Sequence, residues 1–201
     1  MLNRRRLLGF SIVELMIAIV VLAMLLVIGG PSFSQWLHNI RIRNMADGLQ
    51  NGLQLARAEA VRRNATVRFQ LTNGLTNSCA LSTSGSNWVV SMDSAVGACA
   101  STNMADDAAP AAPRMIQSRP VGDGTSGVVV AADASSVVFN GLGRVTPTPG
   151  ADIAINVSNP AGGDCAADSG PMRCLRLVVG AAGQIRMCDP RTSFNGTTEG
   201  C

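Results

Sequence analysis

The stretch Arg4-Arg5-Arg6-Leu7-Leu8-Gly9-Phe10-Ser11-Ile12-Val13-Glu14-Leu15 decides how the whole chain is read. A short basic leader meets a glycine, and an apolar run begins at once. From Phe10 to Ile28 the polar side chains are Ser11 and Glu14 alone. At about 1.5 Å of rise per helical residue, such a run can cross the roughly 30 Å hydrocarbon core of a bilayer. The three arginines assign its N-terminal end to the cytoplasm, because basic residues flank the inner side of membrane helices. A secretory signal peptide would start in the same way. Here no Ala-x-Ala-like cleavage site follows the run, which closes on Gly29-Gly30-Pro31.

Glu14 is the anomaly. A carboxylate within a membrane helix costs on the order of 2.5–3.5 kcal/mol on insertion scales, less near the interface, and so calls for a partner. The run Gly9-Phe10-Ser11-Ile12-Val13-Glu14-Leu15 resembles the class III signal of type IV pilins and pseudopilins. In that family a peptidase cuts on the cytoplasmic side after the glycine and methylates the new N-terminus. The mature protein keeps its membrane helix. The resemblance implies cleavage between Gly9 and Phe10, and pairing of Glu14 with the freed amino group of Phe10 on a neighbouring subunit.

Beyond Pro31, which should kink or locally open the helix, the helical pattern resumes. Ile42, Met45, Leu49, Leu53, Ala56 and Ala60 fall three or four apart on one face. Asn64 reads as the stop signal, and the single His38 as a solvated helix residue. The end of this segment, Leu53-Gln54-Leu55-Ala56-Arg57-Ala58-Glu59-Ala60-Val61-Arg62-Arg63-Asn64, resembles the corresponding helix of the GspH/FimT-type minor pilins. That branch covers minor pilins of type IV pili and minor pseudopilins of type II secretion.

After Asn64 the period becomes alternating. Strands are expected at residues 66–71, 87–93, 114–118, 127–132, 136–140, 152–157, 173–179 and 184–189, separated by Gly-rich turns. Trp88 reads as a core or sheet-face anchor. The expected fold is α+β, a long N-terminal membrane and assembly helix packed on a small antiparallel β-sheet domain. Its parts are a cleaved leader (1–9), a helix (10–64, with 10–30 transmembrane and 32–64 amphipathic) and a β domain (65–201). The β domain is expected to be periplasmic, and extracellular once assembled.

The formal net charge of +3 misleads, because the predicted cut removes three of the sixteen basic residues and leaves thirteen against thirteen acidic ones. Whole-protein charge therefore gives no case for nucleic-acid binding. All six cysteines (Cys79, Cys99, Cys165, Cys174, Cys188, Cys201) lie on the exported side, where an even number reads as a disulfide set. No Cys-x-x-Cys or Cys/His ligand spacing appears, so no metal or cofactor is expected. One histidine leaves no acid–base or nucleophile constellation, which speaks against an enzyme.

The segment Arg173–Pro190 permits a register argument. A two-residue turn at Ala181-Ala182 would pair Leu177 with Arg186 and mix charge into the apolar face. An odd-length loop pairs Val178 with Gln184, Arg176 with Arg186 and Cys174 with Cys188, leaving Leu175, Leu177, Val179, Ile185 and Met187 together. That register suggests Cys174–Cys188, with Cys79–Cys99 closing the loop beyond Trp88 and Cys165–Cys201 tethering the tail. The competing set joins Cys165 to Cys174 and Cys188 to Cys201. Arg176 opposite Arg186 would need an anion, and Asp189 is one candidate. DNA-uptake minor pilins of the FimT type carry a Gly-Arg-x-Arg motif on such a segment. Gly183-Gln184-Ile185-Arg186 resembles it, with Gln184 in place of the first arginine and Arg176 and Arg191 as reinforcements. The resemblance thus implies a minor pilin in or at the tip of a type IV pilus, with weak DNA binding, or the pseudopilin of a secretion system. Its partners would be other pilins, the inner-membrane assembly machinery and the prepilin peptidase.

Overall fold

A computed structural model of the chain describes residues 11–201 apart from 110, 121, 123 and 124, and the side chains of 27–32 and 192 fall outside that description. Helix α1 (Ile12–Arg63) opens on Ser11, whose Oγ accepts the Glu14 N–H at 3.2 Å. Ser11 thereby satisfies one of the donors that a helix start leaves without an internal partner. The helical backbone runs on through Gly29-Gly30-Pro31, so the local opening expected there does not occur. A proline withdraws its own donor only, and the residues on either side hold the helix. At the far end Asn64 takes a left-handed φ of 47°, its N–H bonds Val61 O at 3.2 Å, and Ala65 N–H bonds Ala60 O at 3.1 Å. This is a Schellman turn, and asparagine suits it because its short polar side chain tolerates the left-handed region.

The chain forms two compact units, Met1–Leu37 and His38–Cys201. In the first, large apolar side chains from Ile12 to Leu26 are exposed, and Phe33 stacks on Trp36 with ring centroids 5.7 Å apart. Among the described residues no helix is long and apolar enough to cross a membrane. Their apolar run is described to Leu26, about 24 Å of helix from Ser11, whereas the sequence continues it to Ile28. The expected processing junction, Gly9 and Phe10, lies outside the described residues.

In the second unit eight strands follow the helix: β1 (Val67–Thr72), β2 (Asn87–Ser91), β3 (Met115–Arg119), β4 (Val129–Ala132), β5 (Ser136–Phe139), β6 (Ile153–Ser158), β7 (Leu175–Val179) and β8 (Ile185–Cys188). They form two antiparallel sheets of four strands each, in the orders β3-β2-β1-β5 and β4-β6-β7-β8. The chain crosses between the sheets three times, from β3 to β4, back through Asp133-Ala134-Ser135 to β5, and again from β5 to β6. One apolar cluster joins the helix stripe Ile42, Met45, Leu49, Leu53, Ala56 and Ala60 to Phe69 and Trp88 of the first sheet and Ile155 and Leu177 of the second. At Gly52 the helix packs closely on the first sheet. A Cβ built there would stand 2.8 Å from the Phe69 ring and 3.1 Å from Trp88, whose rings pack at 5.7 Å. His38, read as solvated, is partly covered instead, since a Cβ on Gly162 would lie 3.1 Å from its Cγ.

A smaller cluster of Cys79, Val89, Ala95, Cys99 and Met115 covers the outer side of β2 and β3. The Cys79–Cys99 disulfide closes it, as the sequence suggested. Beside it, Arg114 donates to both Asp93 oxygens, at 2.8 and 2.9 Å, and fastens this loop to the start of β3. The Arg114 guanidinium holds the Asp93 carboxyl at about 2, below its ordinary 3.8. A carboxyl depressed in the folded state contributes stability above its unfolded pKa and loses it as pH falls through the folded one. Asp93→Asn should therefore lower stability at neutral pH and flatten its loss between about pH 4 and 2. Denaturant melts of both proteins across that range check this, and parallel pH curves would count against the pair.

Candidate functional site

The C-terminal hairpin carries the sequence-predicted binding residues, and its turn sets their positions. Gly180 N–H bonds Gln184 O at 3.0 Å, which leaves a three-residue loop, Ala181-Ala182-Gly183, with Gly183 at φ 81°. The loop is odd-numbered as expected, and Leu175, Leu177, Val179, Ile185 and Met187 share a face. The register is nevertheless two residues away from the expected one: Val178 faces Arg186, and Arg176 faces Cys188. The reason lies in the third loop position, which takes a positive φ in this turn. The expected register would have placed Ala182 there, and the observed one places Gly183, which adopts that φ without a Cβ clash.

Two of the expected disulfides fall with that register. Cys174–Cys188 does not form because Cys188 faces Arg176, and Cys165–Cys201 does not form either. The bonds present are Cys165–Cys174 and Cys188–Cys201, the competing set. Local backbone closure brings each pair together. Ala166 N–H bonds Met172 O at 2.7 Å and Gly170 N–H bonds Cys165 O at 2.9 Å, folding residues 165–174 back on themselves. Asp189 N–H bonds Glu199 O at 2.7 Å, which returns the tail to Cys188.

The arginines do not meet as a cluster. Arg176 is half-buried and donates to Asn156 Oδ1 of β6 at 2.7 Å. Arg186 is exposed, and among the described residues it reaches Cys201 O alone, at 3.4 Å. Because Arg186 faces Val178, the two arginines are diagonal neighbours rather than a direct pair, and no anion has to sit between them. Arg191 is held by both Asp189 oxygens at 2.8–3.1 Å and lies 4.3 Å from the Phe194 ring centroid. Gln184 is exposed on the hairpin.

Asp189 is therefore an internal counter-ion, 2 % exposed, shared between Arg191 and Arg173. Burial pushes its carboxyl up, but the Arg191 hydrogen bonds and then Arg173 outweigh that, leaving it below its ordinary value. Arg173 also reaches Glu199 at 3.3 Å. The sequence reading missed Arg173 as Asp189's second partner, because only the fold brings the start of β7 beside the tail. It also missed Arg57, whose Nε donates to Gly143 O at 3.2 Å beside the hairpin loop. At the other end of the chain, Glu14 lies in the first turn of α1, where the positive end of the helix dipole favours a carboxylate. Among the described residues no three His, Cys, Asp or Glu side chains converge to hold a metal ion.

Comparison with known proteins places these features. The profile of the prokaryotic N-terminal methylation motif matches residues 4–30, and that of the type II transport protein GspH matches residues 45–183. No curated protein matches the chain significantly. Among solved structures it is similar to the type IV minor pilin FimU of Pseudomonas aeruginosa in two crystal forms. One aligns at 16% identity and a TM-score of 0.46 over 74% of this chain and 96% of that one. The other aligns at 18% and 0.47 over 74% and 92%. With the GspH profile extending over most of its length, the chain belongs to the GspH family, the GspH/FimT-type minor pilins and pseudopilins.

Proposed function

We propose that the chain is a structural, non-enzymatic subunit of a type IV pilus, anchored by one membrane helix and carried in or at the tip of the filament. The observation that carries this reading is the methylation motif at residues 4–30 joined to the GspH profile at 45–183. Membership of this family implies processing by a prepilin peptidase and assembly with other pilins. The apolar sequence Phe10–Ile28 behind three arginines supports the anchor and a periplasmic β domain. A second reading, the minor pseudopilin of a type II secretion system, is favoured by the description of the matched family as a type II transport protein. Deleting the gene and scoring twitching, transformation and protein secretion together separates them. Loss of twitching with secretion intact is expected, and loss of secretion alone would assign the chain to the secretion machine.

DNA binding by this subunit rests on Arg186 and Gln184. Arg191 already has Asp189, and Arg176 already has Asn156. One phosphate contact implies a log–log salt slope near −1 on duplex DNA, and Gln184→Arg should steepen it to about −2 while tightening binding. Arg186→Ala should weaken binding without changing the fold. Gel shifts across a salt series decide the matter, and two variants indistinguishable from wild type would remove the DNA reading.

A further inference from the structure

The outer face of the first sheet is only half covered. Over β2 and β3 lies the cluster closed by Cys79–Cys99, whereas over β1 and β5 there is an open groove of about 530 Å³. Val67, Phe69, Leu71, Val137 and Phe139 point into the core, so the alternate residues of the same strands form the groove floor. The floor consists of two cross-strand pairs, Arg68 with Val138 and Gln70 with Ser136. Leu81 stands on one side and Pro147 and Pro149 on the other, carried by a segment that runs along β5 through a Thr146 N–H to Val138 O bond of 2.9 Å.

Arg68 is out of place in such a floor. Its Nε is buried and has no hydrogen-bond partner, and it makes no ion pair among the described residues. The acid that attracts it through space, Asp93, already gives both its oxygens to Arg114. A guanidinium N–H shielded from water without an acceptor is unfavourable, and an arriving carboxylate would satisfy it. The prolines on the wall have no N–H to offer, so the flanks of a ligand would be held through apolar contact.

We propose that this groove is a docking site for an extended peptide segment of a partner protein, with an Asp or Glu side chain seated on Arg68 and small apolar residues flanking it along Leu81, Pro147 and Pro149. The groove volume lies within the roughly 300–1,000 Å³ of small-ligand sites, which suits a few residues and not a nucleic-acid duplex.

The test uses the full chain in detergent micelles, labelled with ¹⁵N and titrated with the peptide acetyl-Ala-Val-Asp-Val-Ala-amide, its Asn counterpart and sodium acetate. The Asp peptide should shift resonances of Arg68, Leu81, Val138 and Thr146, and the Asn peptide should bind about tenfold more weakly or worse. Arg68→Gln should reduce Asp-peptide affinity by a similar factor. Ser136→Glu, which sets a carboxylate diagonally across the strands from Arg68, should block binding while leaving the amide spectrum native. Failure of the Asp peptide to bind, equal binding of the Asp and Asn peptides, or shifts elsewhere would each overturn the proposal. Acetate binding as tightly as the peptide would leave a bare anion site and overturn the peptide assignment.

Discussion

Glu14→Ala is expected to leave the chain cleaved and membrane-bound while cutting its entry into filaments by about tenfold or more. The carboxylate lies in the first turn of a helix whose neighbouring side chains are apolar and exposed, so its surroundings in an assembly would be apolar as well. Removing one partner of a buried ion pair costs about 3–5 kcal/mol, and in an assembly that buries Glu14 against a neighbour's freed amino group, Glu14→Ala leaves that ammonium without its carboxylate. Ser11 supplies the control. Its Oγ caps the Glu14 N–H, so Ser11→Ala removes the cap, worth about 1 kcal/mol, and leaves the charge in place. If Glu14 served only the helix start, the two variants would assemble equally well. Shearing filaments and comparing subunit in the filament and membrane fractions reads the effect. Normal incorporation of Glu14→Ala would sink the pairing role.

The second large effect is expected at Gly52. A leucine there must push into Phe69 and Trp88, where a Cβ alone already stands 2.8 Å from the Phe69 ring. Overpacking of this kind costs about 1–3 kcal/mol and occasionally more, against a gain of about 1 kcal/mol in helix propensity over glycine. A net loss of about 1 kcal/mol, reaching about 2 at the upper end, is expected. Gly48, four residues earlier, has nothing within 4 Å of an added Cβ, so Gly48→Ala should stabilise by up to about 1 kcal/mol. Thermal or denaturant unfolding of the two variants should shift in opposite directions. A shared sign would mean that helix propensity, not the aromatic contact, governs this face.

Much of this architecture was legible because it is written in short-range chemistry. The stripe from Ile42 to Ala60 is periodic and is buried throughout. Asn64 stops the helix for a local reason, and each expected strand has a counterpart within a few residues of its expected ends. The candidate site was less legible. The parity of the β7–β8 register followed from the alternation of apolar residues, but its absolute position depended on which loop residue takes the positive φ. Gly183 was the available signal, and weighing it would have placed Cys188 opposite Arg176 and removed the case for Cys174–Cys188. The Arg173–Asp189 pair and the solitary Arg68 were not legible, because the first depends on how the tail returns beside the start of β7 and the second on which groups the fold leaves around β1, and neither leaves a spacing in the chain.

The packing of the helix on two sheets at once also bears on mechanics. Carried in a filament as proposed, the subunit would be pulled along its length, and in this unit the helix stripe from Ile42 to Ala60 is buried against strands of both sheets. Tension entering along the helix axis is therefore borne in shear by side chains spread over about 27 Å, rather than by a contact that peels open one residue at a time. Those side chains must slide past Phe69, Trp88 and Leu177 together before the helix can be drawn out. The geometry thus favours a high rupture force over a gradual lengthening.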